Sequence, residues 1–258
     1  MKTTKIEWTD KTWNPVTGCS KMSAGCVNCY AEVMARRLQA MGQDKYKNGF
    51  GLTLHEDVLG EPLQWKKPHT IFVCSMSDLF HHDVPDEFIG KVMSIIVMTP
   101  QHHYQLLTKR AERLAEYFTN HPIPENVWLG VTIENQSSKI RMEHLRKLNA
   151  SVRFLSCEPL LEDLGELDLE NIDWVIVGGE SGTSARQMKE EWVLSVKEQT
   201  EIQGSAFFFK QWGMWGSDGI KRNKHENGKL LRGKTYQKMP LQKRELTFPK
   251  NDQQTDIR

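Results

Sequence analysis

A strand-then-helix rhythm recurs from about residue 12 to residue 210, and it confines the chain to folds built on a parallel sheet, because parallel neighbours need crossover connections. Apolar, β-branched runs mark the strands. Thr70 to Cys74 is bounded by Pro68 and by Ser75, Ser77 and Asp78, and a helical pattern follows from Pro85 through Phe88, Ile89, Val92, Met93 and Ile96. Tyr104 to Leu107 leads into a helix from about Arg110 to Phe118, and Val127 to Ile133 into one from about Gln136 to Leu148. Val152 to Ser156, Asp173 to Val177 and Ala206 to Phe209 supply three more strands, with a helix from about Met188 to Ile202 before the last. Counting a first strand near Trp13 to Thr17 and a helix from about Tyr30 to Ala40, the pattern predicts about seven strands. A partial or closed barrel and an open doubly wound sheet both satisfy it. Either one places chemistry at the C-terminal ends of the strands.

The 258 residues suffice for one substantial domain or an α/β barrel with an appendage. A formal charge of +1 gives no global argument for a polyanionic partner, so any basic surface is local. No stretch approaches the roughly 18 apolar residues of a spanning helix, and the N-terminus lacks the apolar run of a signal peptide, so a cytoplasmic protein is expected. From Gly213 onward the sequence turns polar and basic, with eleven Lys or Arg against five Asp or Glu between Ser217 and Arg258. This divides the chain into a βα domain, residues 1–212, and an extension, residues 213–258. The extension reads as a solvated tail or as a contact for nucleic acid or an acidic substrate.

Three of the five cysteines crowd into the run Gly18-Cys19-Ser20-Lys21-Met22-Ser23-Ala24-Gly25-Cys26-Val27-Asn28-Cys29-Tyr30. Their spacing, C-x6-C-x2-C, falls after a predicted strand and just before a helix. In a chain of this kind such a cluster points to metal ligation before disulfides. A structural zinc site is normally closed by four ligands, and no fourth Cys or His lies in the loop. A four-iron cluster held by Cys19, Cys26 and Cys29 leaves one iron open to a small molecule. A zinc or other metal knot completed by a distant His is the alternative.

A three-cysteine loop between the first strand and first helix of a βα barrel resembles the radical S-adenosylmethionine (radical SAM) superfamily. The stretch Gly-Cys-x-x-x-Ser-x-Gly-Cys-x-x-Cys-Tyr-Ala is similar to the phage-associated three-Cys-motif family, which is radical-SAM-like. Further landmarks are Trp8, Trp13-Asn14-Pro15, the Ser75 to Phe80 run, Leu107 to Arg110, Gly130 to Glu134, Ser156 to Pro159, Gly178 to Gly182 and Lys210 to Gly213, so the resemblance spans residues 5 to 240. The chain departs from the superfamily's usual C-x3-C-x2-C, and Asn28 stands where an aromatic often precedes the third cysteine.

The resemblance implies a partial (β/α) barrel of radical SAM type and two cofactors, a [4Fe-4S] cluster and S-adenosyl-L-methionine. A flavodoxin- or ferredoxin-like one-electron reductant and a nucleic acid or nucleotide substrate are the implied partners. Ser75, Ser77 and Asp78 fall where the methionine amino group is bound. Lys109 and Arg110 then face its carboxylate or a substrate anion, Thr132 and Glu134 the ribose, and Gly178 and Gly179 the adenine or a substrate anion. Tyr30 packs near the adenine. Cys157 reads, like Cys74, as a buried small hydrophobe, or, beside Glu158, as the group that returns a hydrogen atom to a product radical. Trp212 and Trp215 read as exposed aromatics for stacking on bases. Cys74 reads as a buried small hydrophobe, and the pairs His81-His82 and His102-His103 as helix-flanking residues or, with Asp83, a second metal site. A non-catalytic metal-binding protein that contacts nucleic acid, and a Rossmann-type methyltransferase, are the competing classes.

Overall fold

The computed structural model describes residue 4 and residues 6–241. Seven strands form one parallel sheet, β1 (Lys11–Trp13), β4 (Thr70–Val73), β5 (His103–Thr108), β6 (Val127–Thr132), β7 (Val152–Cys157), β8 (Trp174–Gly178) and β9 (Ala206–Gln211). They lie side by side in chain order. A doubly wound sheet reverses its strand order at a switch point, and none occurs here, so successive right-handed crossovers all fall on one face. The helices are α1 (Tyr30–Ala40), α2 (Asp86–Met98), α3 (Ala111–Asn120), α4 (Ile140–Arg146) and α5 (Glu190–Gln203).

The two faces of the sheet bury different residues. Ile71, Val73, Tyr104, Leu106, Leu129, Val131, Val175 and Val177 join side chains of α2 to α5 in the larger core. Their sheet neighbours of opposite parity, Phe72, Trp128, Val152, Phe154, Trp174, Ile176 and Phe208, form a second core that contains no helix residue. Trp8 fills this second face, with ring centroids 4.7 Å from Phe72 and 6.2 Å from Trp174. A sheet covered by helices on one side and curled around its own aromatics on the other is a partial β/α barrel. The seven-strand pattern and the barrel expectation both hold.

One expected strand divides. Pro15 has no N–H for a ladder, so β1 stops at Trp13 and the chain leaves the sheet. The short strand β2 (Val16–Thr17) then pairs antiparallel with β3 (Thr53–Leu54). At the other edge, Gln237 bridges Phe208 and the Trp174 indole donates to the Lys238 carbonyl at 3.0 Å. The stretch Tyr236 to Lys238 of the basic extension is therefore packed against β8 and β9, while most of residues 217–235 are exposed. Residues 242–258, which carry several of its charges, lie outside the described residues. No helix among the described residues is long and apolar enough to cross a membrane.

Gly130 shows how tightly the inner face is packed. A Cβ built there would sit 2.4 Å from the Phe154 ring on the adjacent strand. Gly130→Ala is expected to lower stability by about 1–3 kcal/mol through overpacking. Gly90→Ala on α2, where nothing lies within 4 Å, is expected to gain about 0.5–1 kcal/mol from helix propensity. Urea unfolding midpoints should therefore move in opposite directions; a parallel shift refutes the packing account.

Candidate functional site

The cysteine loop lies across the C-terminal edge of the sheet, and its entry depends on one glycine. Gly18 has φ +78°, and a Cβ there would meet the Gly51 carbonyl oxygen at 2.2 Å. Its amide donates to the Met76 carbonyl at 3.1 Å, and the Ser77 hydroxyl donates to the Gly18 carbonyl. At the far end Cys29 is the N-terminal cap residue of α1. Ala31 and Ala35 seat α1 against Met76.

Two ion pairs pin the loop. On the Cys19 side, Arg110 donates to Asp78 Oδ2 at 2.9 Å and to Cys19 Sγ at 3.5 Å, with further bonds to the Ser20 carbonyl and hydroxyl at 3.1 and 3.0 Å. Asp78 is fixed in turn by the Thr108 hydroxyl at 2.7 Å and by the amides of Phe80 and Lys109 at 3.0 and 3.3 Å. On the other side, Glu180 takes the Arg186 guanidinium at 2.5 and 2.9 Å and the Asn28 amide at 3.1 Å, while Arg186 also reaches the Ala24 carbonyl at 2.9 Å. Between these clamps the loop crosses Glu134, whose carboxylate lies so close to Gly25 that an added Cβ would touch it at 3.3 Å. Glu134 is fully buried and pairs with Arg141 at 2.6 Å. Burial pushes its carboxyl up, but the Ser23 hydroxyl, Lys109 and Arg141 outweigh that and hold it below the usual carboxylate range.

The thiols differ in electrostatic setting. Burial pushes Cys19 up more than Arg110 pulls it down. Burial also opposes ionisation of Cys26, yet the Met22 amide, Lys109 and Ser23 together leave its thiol lowered. None of the three is in a disulfide, and all are half-buried. Among the described residues, only His81, His82 and Asp83 bring three potential ligand atoms within 4.8 Å of one another. Cys19, Cys26 and Cys29 lie on one loop at the strand ends, with no fourth Cys or His in that loop to close a tetrahedral site. Three such thiols beside loop amides fit a larger cluster. The histidine group does not fit a metal: His81 Nδ1 accepts from the Asp83 amide at 3.2 Å, so Nε2 carries the proton and meets the Ser20 hydroxyl at 2.7 Å. His102 spends both ring nitrogens on His69 and Pro62.

Comparison with known proteins places the chain. The family described as "Protein of unknown function (DUF5131)" matches residues 3–240. The chain belongs to the DUF5131 family. No curated protein matches it. Two solved structures of spore photoproduct lyase are similar to this DUF5131 chain. A cysteine-to-serine mutant is 13% identical with a TM-score of 0.40, covering 69% of this chain and 59% of that one. A double mutant with bound AdoMet and dinucleoside spore photoproduct is 9% identical with a TM-score of 0.43, covering 78% and 63%. The DUF5131 chain therefore spans less than two thirds of either lyase chain.

The remaining sequence-derived residues divide by what occupies them. Lys109 lies close enough to Cys26 and Glu134 to lower both of their pKa values, and Thr132 is buried one strand away from it. Glu158 pairs with Lys210 at 3.1 Å on the inner side of the strand ends. Other residues serve the fold: the Ser75 hydroxyl donates to Asn14 at 3.0 Å, and Asp78 has its acceptor sites filled by protein donors. The Tyr30 hydroxyl donates to the Ser75 carbonyl. Gly178 leaves room for the Glu158 carboxylate, and Gly179 lets the backbone pass the Trp212 carbonyl, which a Cβ would strike at 1.9 Å.

Cys157 takes the buried reading of the two, and Trp212 and Trp215 are not placed as expected. Cys157 has the parity of Leu155, fully buried in the helix-facing core, so its thiol does not turn toward the inner face as Ser156 does. Burial pushes that thiol up, as it does Cys74, to about 12 in the latter. Trp212 is 2% exposed and packs on Phe209, and the Trp215 indole donates to the Ala185 carbonyl at 2.7 Å, so neither offers an open face for a base. The sequence reading missed Arg186 and Arg141, whose partners lie on other elements or turn inward at a strand end.

In the metal-free DUF5131 protein at pH 8, iodoacetamide should modify Cys26 before Cys19, because the lowered thiol holds more thiolate. Arg186→Ala should speed modification of Cys26 and Cys29 several-fold and leave Cys74 untouched. Mass spectrometry of labelled peptides reads both outcomes, and unchanged rates in the variant would show that the Glu180–Arg186 clamp does not hold the loop.

Proposed function

We propose that this DUF5131 protein is a radical SAM enzyme in which Cys19, Cys26 and Cys29 hold a [4Fe-4S] cluster. The observation that carries the reading is the cysteine loop itself: three unbridged thiols, without a fourth ligand in the loop, clamped at the strand ends of a partial β/α barrel. When bound, such a cluster supplies the single electron that splits S-adenosylmethionine into methionine and a 5'-deoxyadenosyl radical, which takes hydrogen from a substrate.

The work of the chain is to hold and shield. Arg110 donates to Cys19 and Arg186 to the loop backbone, so the ligands are positioned by cations whose own orientation is fixed by buried carboxylates. Lys109 brings an ammonium to Cys26 and Glu134, where it can meet a carboxylate or another anion. Thr132, Ser156, Glu158 and Lys210 continue the inner parity of their strands beyond the aromatic floor, offering donors and acceptors to a polar substrate. The floor excludes water from below. Cys157 is buried in the helix-facing core, so we assign it no role in hydrogen transfer. A nucleobase or nucleic acid is the substrate class we favour, on the basic balance of residues 213–258.

Protein reconstituted anaerobically with iron and sulfide should be brown, contain about four irons per chain, and release 5'-deoxyadenosine from S-adenosylmethionine on reduction. Cys26→Ala should lose both colour and cleavage, whereas Cys74→Ala should keep the colour. Colourless protein carrying one zinc overturns the reading in favour of a structural metal module. Running the assay with nucleotides, RNA and DNA in parallel tests the substrate class, through hydrogen exchange from labelled substrate into 5'-deoxyadenosine.

A further inference from the structure

The cysteine loop and the helix after it carry an apolar surface that no other described element covers. Six of the fifteen large apolar side chains exposed among the described residues fall between residues 22 and 41: Met22, Val27, Tyr30, Val33, Met34 and Met41. Val33 and Met34 on α1 and Met41 at its C-terminal cap share one side of the helix, while Tyr30 at its start turns its hydroxyl back to the Ser75 carbonyl. Ala31 and Ala35 turn the other way, into the core with Met76. The helix thus has two apolar faces, one spent on packing and one presented to water, with Val33 69% exposed. Val27 stands between Cys26 and Cys29, so the outer face runs up to the thiols. Scattered exposed apolar residues need no explanation, but a continuous set beside a site does.

The surroundings of this face are basic. Residues 19–50 contain Lys21, Arg36, Arg37, Lys45 and Lys47 against Glu32 and Asp44; Lys21 at 3.0 Å and Arg36 at 2.6 Å share Glu32, and Lys45 faces Glu61 and Asp57, so Arg36, Arg37 and Lys47 set the basic character at the outer end of α1. We infer that this face docks an acidic electron-carrier protein, which passes single electrons to the metal centre of the cysteine loop. The inference rests on the cluster reading above. Charge complementarity selects an acidic partner and speeds its encounter, and a small apolar centre suits the brief contacts of electron transfer. A second copy is disfavoured, because a two-fold contact sets the same basic rim against itself. Nucleic acid is disfavoured by an aliphatic centre in which Tyr30 is the one ring. In each encounter the carrier loses one electron and the centre gains one, with no atom transferred.

The test uses full-length, iron-loaded protein and a flavodoxin hydroquinone as donor, with cluster reduction followed by stopped-flow absorbance. Val33→Asp, and separately the pair Arg36→Glu and Arg37→Glu, should slow reduction by flavodoxin at least tenfold and leave reduction by dithionite unchanged. Raising the salt should slow the wild-type reaction with flavodoxin. Circular dichroism checks that these exposed substitutions leave the fold intact. Equal rates with flavodoxin in variants and wild type overturn the docking face, as does a dithionite-reducible wild type that flavodoxin cannot reduce. Self-association in sedimentation, or oligonucleotide binding, that Val33→Asp abolishes would assign the face to a second copy or to nucleic acid and equally overturn it. Wild-type protein that takes up no iron removes the cluster reading itself, a different result from any of these.

Discussion

A carboxylate taken out of water costs several kcal/mol unless a cation and hydrogen-bond donors meet it, and the strand-end edge of this barrel is organised around that requirement. Asp78, Glu134 and Glu180 are all nearly inaccessible, and each is answered by an arginine: Arg110, Arg141 and Arg186. Two of those arginines have donors to spare, and these go to the cysteine loop. The loop has little apolar surface turned inward and would otherwise be an open span of a dozen residues. Its shape is held by arginines whose charges are paired with buried carboxylates at the strand ends.

The same edge explains the division of labour among glycines. Gly18 and Gly179 are needed because one stretch of backbone passes directly against another, the cysteine loop against Gly51 and the end of β8 against Trp212. Close backbone passage of this kind imitates a ligand-binding glycine motif in sequence. Only the neighbouring atoms distinguish them, and for Gly179 those atoms are protein.

The parallel sheet and its seven strands were legible because each strand is a short apolar run followed by a helix of ordinary period, and that information is local. The first strand was expected to run from Trp13 to Thr17 without interruption, but Pro15 ends it, and Val16 and Thr17 move into a separate antiparallel pair. What local pattern could not carry was facing. Ser156 and Cys157 are neighbours in sequence and point to opposite sides of the sheet, so the thiol that looked reactive is core and the hydroxyl beside it faces inward. Nor could spacing show that Arg186 answers Glu180 while holding Ala24, or that Trp212 and Trp215 are consumed by packing. The cysteines stood out because three thiols in eleven residues have no common structural use without a metal.

The clamp across the loop also has a bearing on the order of events in time. Ala24 and Arg186 are 162 residues apart, and Asn28 and Glu180 are 152 apart. During synthesis the cysteines emerge early, when neither partner yet exists, and they must wait for most of the barrel before their loop can settle. Until then the three thiols sit on an unanchored segment, open to oxidation and to stray metals. The mature geometry is therefore a late product of folding, reached only once the eighth strand is in place.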